Sequence, residues 1–397
     1  MVESFSIEKV YQYLLIALAF LMPITVAGAN TVIVIICLIW LFSGNYKEKF
    51  YQIISSKLMI SSLIFFFIHV CGLIWTENLL WGLEISHKMW YFLLLFPVLF
   101  TIVNKNYVKH YIIAFIAAIT LTEIISYLVW FQVIEYFKNA YQADPTPFMS
   151  HISYNPILAF SIYLVGHELL FNKNLSQFVF VWFGTLLLFM SFNMFITQGR
   201  AGQIAFFLMI AILSFQFFQK RRLKALIFIS IFIPTLFISA YSVSPIFKER
   251  VDKTIQVFTN MEQYSNSSVG HRIIFAQNSW ELIKKNPIIG VGTGDFPDEY
   301  KKINQKNSPD FPNVTNPHNM YTLVMSQLGV IGLISMLSIF YYQIKLSACQ
   351  NNKLYRDLGV ALPILFLVIM WSDSYILGHY TTLMFVFFSS FLYKGFD

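Results

Sequence analysis

Long apolar runs separated by short polar loops dominate the chain. A helix that crosses a bilayer needs about 20 predominantly apolar residues, and about twelve runs come near that length. The candidate spans are 10–28, 30–43, 58–75, 88–103, 111–133, 152–171, 177–194, 201–218, 225–243, 319–343, 358–375 and 377–393. The pattern predicts an all-α membrane protein with about twelve transmembrane helices.

One long polar segment, from about Ser244 to His318, interrupts the apolar runs. It divides the chain into three predicted parts. Residues 1–243 carry transmembrane helices 1–9, residues 244–318 form a large loop that contains short helices, and residues 319–397 carry transmembrane helices 10–12.

The positions of lysine and arginine in the short loops predict the orientation, because these residues are enriched on the cytoplasmic side. With the N-terminus inside, the short outer loops hold only Lys88, Lys138 and Arg200. Most of the other basic residues fall on the inner side, including Lys47, Lys105, Lys109, Lys173, Lys220, Arg221, Arg222, Lys224 and Lys353. Both termini are therefore predicted to be cytoplasmic, and the long loop is predicted to lie outside.

Composition supports a membrane protein and argues against nucleic-acid binding. The 397 residues are 57% hydrophobic and 12% charged, whereas soluble domains are usually about a quarter charged. The net charge of +7 is explained by the inner-side lysines and arginines. No basic stripe alternates with exposed aromatics on a soluble domain, so membrane lipids are predicted partners and nucleic acid is not.

A helical pattern begins within the long loop after Ser267 and Ser268, which can act as N-caps. Residues 271–283 have apolar side chains at helical spacing, and Asn286-Pro287 ends the pattern. The pattern predicts an amphipathic helix lying on the membrane surface.

Three glycines follow at alternate positions, Gly290, Gly292 and Gly294. They allow positive φ or a close approach of the backbone. A phosphate-binding glycine loop normally lies between a strand and a helix, and that context is missing. A tight turn is the favoured interpretation, with an adjacent bound anionic group left open.

His318 lies at the end of the loop, directly before an apolar span. An imidazole titrates near neutrality and can act as a general base. The alternative is an interfacial histidine that caps the helix.

Three separated segments together resemble the O-antigen ligase and O-antigen polymerase superfamily. The resemblance covers residues 192–333 by motif and the whole chain by topology. The segments are Thr197–Gly202 (TQGRAG), His271–Arg272 with Asn286–Gly294 (NPIIGVGTG), and His318–Tyr321 (HNMY).

The resemblance implies a glycosyltransferase whose donor is a glycan on undecaprenyl pyrophosphate. A ligase transfers that glycan to a lipid A-core sugar on the periplasmic face of the bacterial inner membrane. A repeat-unit polymerase and a protein O-oligosaccharyltransferase of the same superfamily are the alternatives. The order of the motifs favours the ligase.

The resemblance also implies roles for three residues. His318 would deprotonate the acceptor hydroxyl, with inversion at the anomeric carbon, and Arg200 and Arg272 would hold the pyrophosphate. Arginine suits that role because its donors can pair bidentately with phosphate oxygens. The alternatives are a snorkelling helix-end arginine at position 200 and a salt bridge from Arg272 to Glu262 or Glu281. Supporting roles are predicted for Asn319, Tyr321, Gly292 and Gly294.

One position departs from the pattern of the superfamily. An acidic residue is expected one or two turns after His318, but Gln327 occupies that region. Asn319, Tyr321 or a backbone carbonyl is then left to orient the imidazole.

Neither a metal nor a cofactor is predicted. The cluster Asp295, Asp298 and Glu299 offers oxygen ligands for a hard cation, but a solvated loop face is the favoured interpretation.

A transporter or flippase is the competing class of protein. Such proteins usually need ionisable groups within the membrane, for which Glu123, His69 and Asp373 are the candidates.

Overall fold

A computed structural model describes residues 6–138, 140–259 and 267–395. Within these ranges the fold is all α, as predicted, and contains no β-strand. The first helices are α1 (Ile7–Leu21), α2 (Val26–Phe42), α3 (Tyr46–Ser55), α4 (Lys57–Cys71), α5 (Leu79–Lys88) and α6 (Phe96–Ile102). The middle helices are α7 (Val108–Trp130), α8 (His151–Phe171), α9 (Gln177–Ile196), α10 (Arg200–Phe217), α11 (Arg222–Val243) and α12 (Pro245–Thr259). The last helices are α13 (Ser268–Lys285), α14 (Phe296–Asn307), α15 (Met320–Ala348), α16 (Lys353–Ile369) and α17 (His379–Leu392).

Each predicted span overlaps a helix, but the number of about twelve spans is not confirmed. By length and hydropathy, six helical segments of the described residues can cross a membrane, or seven if the bent pair α2 and α3 is one span. One of the six, Leu79–Ile102, includes both α5 and α6. Several apolar helices are short: α4 has 15 residues and α17 has 14. At 1.5 Å per residue, each extends only about 21–23 Å, less than the apolar core of a bilayer.

The chain forms two compact units. The first unit comprises Met1–Ile36 and Asn104–Lys253, and the second comprises Cys37–Val103 and Thr254–Asp397. In the first unit α8 packs against α9 and α10, and in the second α15 packs against α4, α13 and α16. The three-part division at residues 243 and 318, which follows membrane topology, stays a prediction.

The long helix α15 is broken at Gly329, which has φ 62° and ψ −158°. The loop segment from Pro287 onward hydrogen-bonds to the backbone groups on both sides of this break. Upstream of the break, the N–H of Val291 donates to Ser326 O and that of Gly292 donates to Gln327 O, both at 2.9 Å. Downstream, Val330 N–H donates to Pro287 O at 2.9 Å. Because unpaired backbone groups are costly in an apolar environment, these bonds anchor the long loop to a helix of the second unit.

The glycine-rich turn is built for close packing. Gly290 and Gly292 have positive φ, as the sequence allowed. A Cβ on Gly290 would lie 2.3 Å from the backbone of Gln327, and one on Gly294 would lie 2.2 Å from Asn78 O. The side-chain amide of Gln327 donates to Thr293 O at 2.6 Å. Gln327 thus anchors the turn, at the position where an acid was expected.

The predicted helix in the long loop is present as α13. Its N-cap is Ser267, whose hydroxyl accepts from Gly270 N–H at 3.1 Å, and its C-cap is Asn286. Part of its apolar face is covered by protein, whereas Trp280 is exposed, and the prediction that this helix lies on the membrane surface stays a prediction. Phe275 and Leu282 share a buried cluster with side chains of α14 and α15, namely Phe296, Tyr300, Ile303 and Leu323.

Candidate active site

His318 lies in the second unit, two residues before α15, in a strained backbone conformation. Its φ is +53°, which is uncommon for a residue with a Cβ. Its N–H donates to Oδ1 of Asn316 at 2.9 Å, so a local side-chain turn holds the conformation. Such outliers persist only where the surroundings enforce them and are frequent at functional sites.

The imidazole of His318 faces a carboxylate. Its Nδ1 lies 3.2 Å from Oδ2 of Asp373, in the loop between α16 and α17. The His318 side chain is 40% exposed and that of Asp373 is 17% exposed. Because an ionised carboxylate only accepts hydrogen bonds, the contact favours the neutral tautomer with the proton on Nδ1 and the lone pair on Nε2. The pair has the arrangement of a general base with its orienting carboxylate.

Two further bonds hold the partner loop in place. The hydroxyl of Ser374 donates to Oδ1 of Asn316 at 3.0 Å, the same oxygen that accepts from His318 N–H. The N–H of Met320 donates to Met370 O at 2.9 Å. Hydrogen bonds therefore join the turn before α15 to the loop after α16 on both sides of the His318–Asp373 contact.

Neither Asn319 nor Tyr321 orients His318. The side chain of Asn319 caps α15 by accepting from Thr322 N–H at 3.1 Å. The hydroxyl of Tyr321 donates to Leu367 O at 2.5 Å. The carboxylate expected on the helix after His318 is instead supplied by Asp373, about 50 residues further along the chain.

Arg272 and Asp373 both act electrostatically on Tyr375, which is 4% exposed. Burial raises the pKa of the Tyr375 hydroxyl to about 12; Asp373 adds to the rise and Arg272 opposes it. The phenol therefore stays protonated at physiological pH. Arg272 and Asp373 are thus both within electrostatic range of the Tyr375 hydroxyl, and Asp373 also contacts His318.

The alternative predicted for Arg272 was a salt bridge to Glu262 or Glu281. The structure does not show the pair with Glu281. That carboxylate pairs with Lys284 at 2.6 Å. Glu262 lies outside the described residues. Within the described part of the chain, no ion pair within 4.0 Å includes Arg272, which is partly exposed on α13.

Aromatic rings form one side of the site. The rings of Phe275 and His318 are stacked with centroids 6.2 Å apart. His271 lies 5.9 Å from both Phe275 and Phe311. His271 and His318 thus both lie against the ring of Phe275.

Arg200 lies in the first unit, at the first position of α10. The glycines on either side of it let α10 approach α8 closely. A Cβ on Gly199 would lie 2.7 Å from His151 O, and one on Gly202 would lie 2.1 Å from Asn155 Cβ. The N-terminus of α10 is therefore fixed against the N-terminal turns of α8.

The turn before Arg200 is also held from outside the helix. The side-chain amide of Gln198 donates to Ala143 O at 2.9 Å and its oxygen accepts from Arg250. Next to it, His151 Nδ1 lies 2.7 Å from Oδ2 of Asp144. The guanidinium of Arg250 and the His151–Asp144 pair thus lie beside the TQGRAG segment.

Residues 185–337 match the family model described as O-antigen ligase. The predicted resemblance to that superfamily is confirmed. The matched segment contains Arg200, Arg272 and His318 but ends before Asp373. No curated protein matches the chain. Together with the apolar helices, this match supports a multi-pass bacterial membrane protein.

Sequence reasoning missed Asp373 as a partner of His318 and considered it only for transport. It also missed Arg250, His151 and Tyr375. The signal available for Asp373 was its position toward the outer end of the predicted span 358–375. Its pairing could not be read from spacing, because it joins two loops.

In the acidic cluster after the glycine turn, Asp295 is not part of the predicted solvated face, whereas Asp298 is exposed. Asp295 is 5% exposed and accepts hydrogen bonds from Glu77 N–H at 2.9 Å and Asn78 N–H at 2.7 Å. Asp298 accepts from the side-chain amide of Asn78 at 2.7 Å. These bonds place two of the carboxylates around the start of α5. The prediction that no metal is required stays a prediction.

Proposed function

We propose that the protein is an O-antigen ligase-like glycosyltransferase. It transfers a glycan from undecaprenyl pyrophosphate to a sugar hydroxyl of a lipid A-core acceptor. The reaction takes place on the periplasmic face of the bacterial inner membrane, with both termini in the cytoplasm. The superfamily match and the polar site of the second unit support this proposal.

His318 is the general base in this proposal. The Nε2 lone pair accepts the proton of the acceptor hydroxyl as its oxygen attacks the anomeric carbon. A carbon–oxygen bond forms there, and the bond to the pyrophosphate oxygen breaks on the opposite face, so the anomeric configuration inverts. Asp373 keeps the proton on Nδ1 and stabilises the imidazolium that results.

The leaving group, a lipid pyrophosphate, gains negative charge as the bond breaks. Cations aimed at it therefore stabilise the transition state more than the ground state. Arg272, which acts electrostatically on Tyr375 together with Asp373, supplies one guanidinium. The resemblance implies the same role for Arg200, which lies in the first unit at the N-terminus of α10, where backbone amides and the helix dipole also favour an anion.

The pairing of His318 with Asp373 is the observation that carries the proposal. A histidine that only caps a helix needs no carboxylate on its ring, and the N-cap of α15 is Asn319. Asp373, one of the residues invoked for a transporter, is instead the partner of His318.

The test is transfer of a glycan from a purified lipid-pyrophosphate donor to a core acceptor in proteoliposomes. The His318→Ala protein is compared with wild type and with His110→Ala, which changes an exposed histidine of the first unit. Loss of transfer in the His318 variant alone supports the proposal. Equal transfer by all three proteins contradicts it.

The acceptor is tested separately in a deletion strain, by separating its surface glycans on a gel. Unattached lipid-linked polymer identifies a ligase. Single repeat units on the core identify a polymerase, the alternative of the same superfamily. Loss of glycan from protein alone identifies a protein O-oligosaccharyltransferase.

A further inference from the structure

Glu123 is a buried acid in the middle of an apolar helix of the first unit. It lies on α7, is 2% exposed, and neither carboxyl oxygen has a hydrogen-bond partner among the described residues. Other buried acids in the described chain are partnered: Asp295 accepts two amides and Asp357 pairs with Lys353. Glu123 is therefore a buried carboxyl group that packing alone does not explain.

Polar side chains adjoin Glu123 on three helices. Ser126 is one turn further along α7, on the same face. The hydroxyl of Tyr154 on α8 donates to Asn193 Oδ1 at 2.9 Å, and Asn193 Nδ2 donates to Ser126 Oγ at 2.9 Å. The Glu123 charge acts on the hydroxyls of Tyr127 and Tyr154. Glu123 thus lies near a connected polar cluster, although its carboxyl oxygens make no hydrogen bond to it.

An ionised carboxylate at Glu123 would have an unfavourable free energy of burial unless a cation lay beside it. Burying an isolated ionised carboxylate is so unfavourable that such a group normally takes up a proton instead. Intramembrane acids of this kind are rare and usually functional.

The cluster continues to the turn that carries Arg200. The hydroxyl of Thr197 contacts Asn193 O at 3.2 Å and Asn155 Oδ1 at 2.9 Å. The amide of Asn155 donates to Gly199 O at 3.3 Å. Asn193 is therefore linked through the side chains of Thr197 and Asn155 to Gly199, the residue next to Arg200.

We propose that Glu123, with Ser126, Tyr154 and Asn193, forms a proton-binding site that holds the Arg200 turn in its binding conformation. With the proton bound, the carboxyl group is neutral and the Tyr154–Asn193–Ser126 bonds persist. Loss of the proton leaves a buried charge that must recruit water or a cation, which disturbs these bonds. The second step rests on the proposed role of Arg200 in binding the donor pyrophosphate.

Few other ionisable groups face Glu123 from the helices packed on α7. Tyr127 lies on α7 itself and Tyr154 on α8, whereas α9 contains no ionisable residue. Helix α1 meets α7 where Tyr111 donates to Gln12, about 18 Å from Glu123 along the helix. Within the described residues, a change of protonation at this cluster is therefore assigned to Glu123.

The site is tested by infrared difference spectroscopy of the protein in lipid nanodiscs, without substrate. Wild type should show the carbonyl band of a protonated carboxylic acid at neutral pH and lose it on alkalinisation. The band should be absent in Glu123→Gln, displaced in Glu123→Asp, and retained in Glu84→Gln, which changes an exposed glutamate. A band that survives in Glu123→Gln, or that wild type shows only without sodium, overturns the proton site.

The coupling to Arg200 is tested by steady-state transfer. In wild type, alkalinisation should raise the KM for the lipid-linked donor by about tenfold with little change in kcat. In Glu123→Gln that rise should be lost, and an identical rise in both proteins overturns the coupling. Because the infrared band is read without substrate, failure of the proton site and failure of the proposed function are distinguishable.

Discussion

Oδ2 of Asp373 lies 3.2 Å from Nδ1 of His318, although 55 positions separate the two residues along the chain. The contact joins the turn before α15 to the loop after α16. It gives the imidazole the carboxylate partner that the helix following His318 does not provide.

Replacement of Asp373 by asparagine should reduce kcat by roughly 10²–10⁴-fold, the range found for proton transfer and its orienting groups. The amide can donate to Nδ1, so the proton would move to Nε2 and the base would be lost. Donor KM should change little, since Asp373 does not hold the pyrophosphate. An increase in KM with unchanged kcat would contradict the orienting role.

Replacement of Arg272 by lysine should lower kcat/KM by about tenfold or more, even though the charge is kept. A lysine ammonium cannot form the planar, bidentate contact of a guanidinium with phosphate oxygens. The Lys285→Arg protein, changed at an exposed position of α13, is the matched control. Wild-type kinetics in Arg272→Lys would show that bidentate recognition is not needed.

Replacement of Gly290 by alanine should destabilise the second unit by more than about 1 kcal/mol. Its φ is positive, and the added Cβ would lie 2.3 Å from the backbone of Gln327. Gly184→Ala is the control, because nothing lies within 4 Å of a Cβ there; the loss of helical glycine should leave stability equal or slightly higher. Thermal unfolding in detergent measures both, and equal unfolding temperatures would contradict the close packing of the turn.

Replacement of Gln327 by glutamate tests whether this position is an anchor or a catalytic acid. The Gln327 amide donates to Thr293 O, and a buried carboxylate cannot replace that donor. The variant should lose about 1–3 kcal/mol of stability and should not restore transfer when combined with Asp373→Asn. Restored transfer in the double variant would show that Gln327 faces the reacting groups.

Chelation tests the prediction that no metal is required. EDTA should leave the transfer rate of the purified protein unchanged, because the arginines supply the positive charge at the leaving group. Inactivation by EDTA that magnesium reverses would contradict this prediction.

The apolar pattern was sufficient to predict the helical fold, because burial in lipid requires continuous apolar runs. It could not predict that α15 breaks at Gly329, since a glycine within an apolar run also suits an unbroken membrane helix. The compensating bonds come from Pro287 and the residues after it, about 40 positions upstream. The predicted number of spans is also unconfirmed. Short helices such as α4 are as apolar as the long ones, so an apolar sequence does not reveal the length of its helix.

Local sequence predicted the residue types of the site better than their partners. His318 and Arg272 were readable because each lies in a short motif. The role of Asp373 could not be predicted in this way, since a contact between two loops depends on how α15 and α16 pack. The expectation that Asp295 belongs to a solvated face was wrong because its partners, the amides of Glu77 and Asn78, belong to another loop.

The most direct test of the central claim is single-turnover transfer by purified His318→Ala with a saturating lipid-pyrophosphate donor and a core acceptor. If His318 is the general base, the rate of the transfer step should fall by about 10²–10⁴-fold while donor binding is retained. A transfer rate near that of wild type, with donor bound equally well, would contradict the assignment.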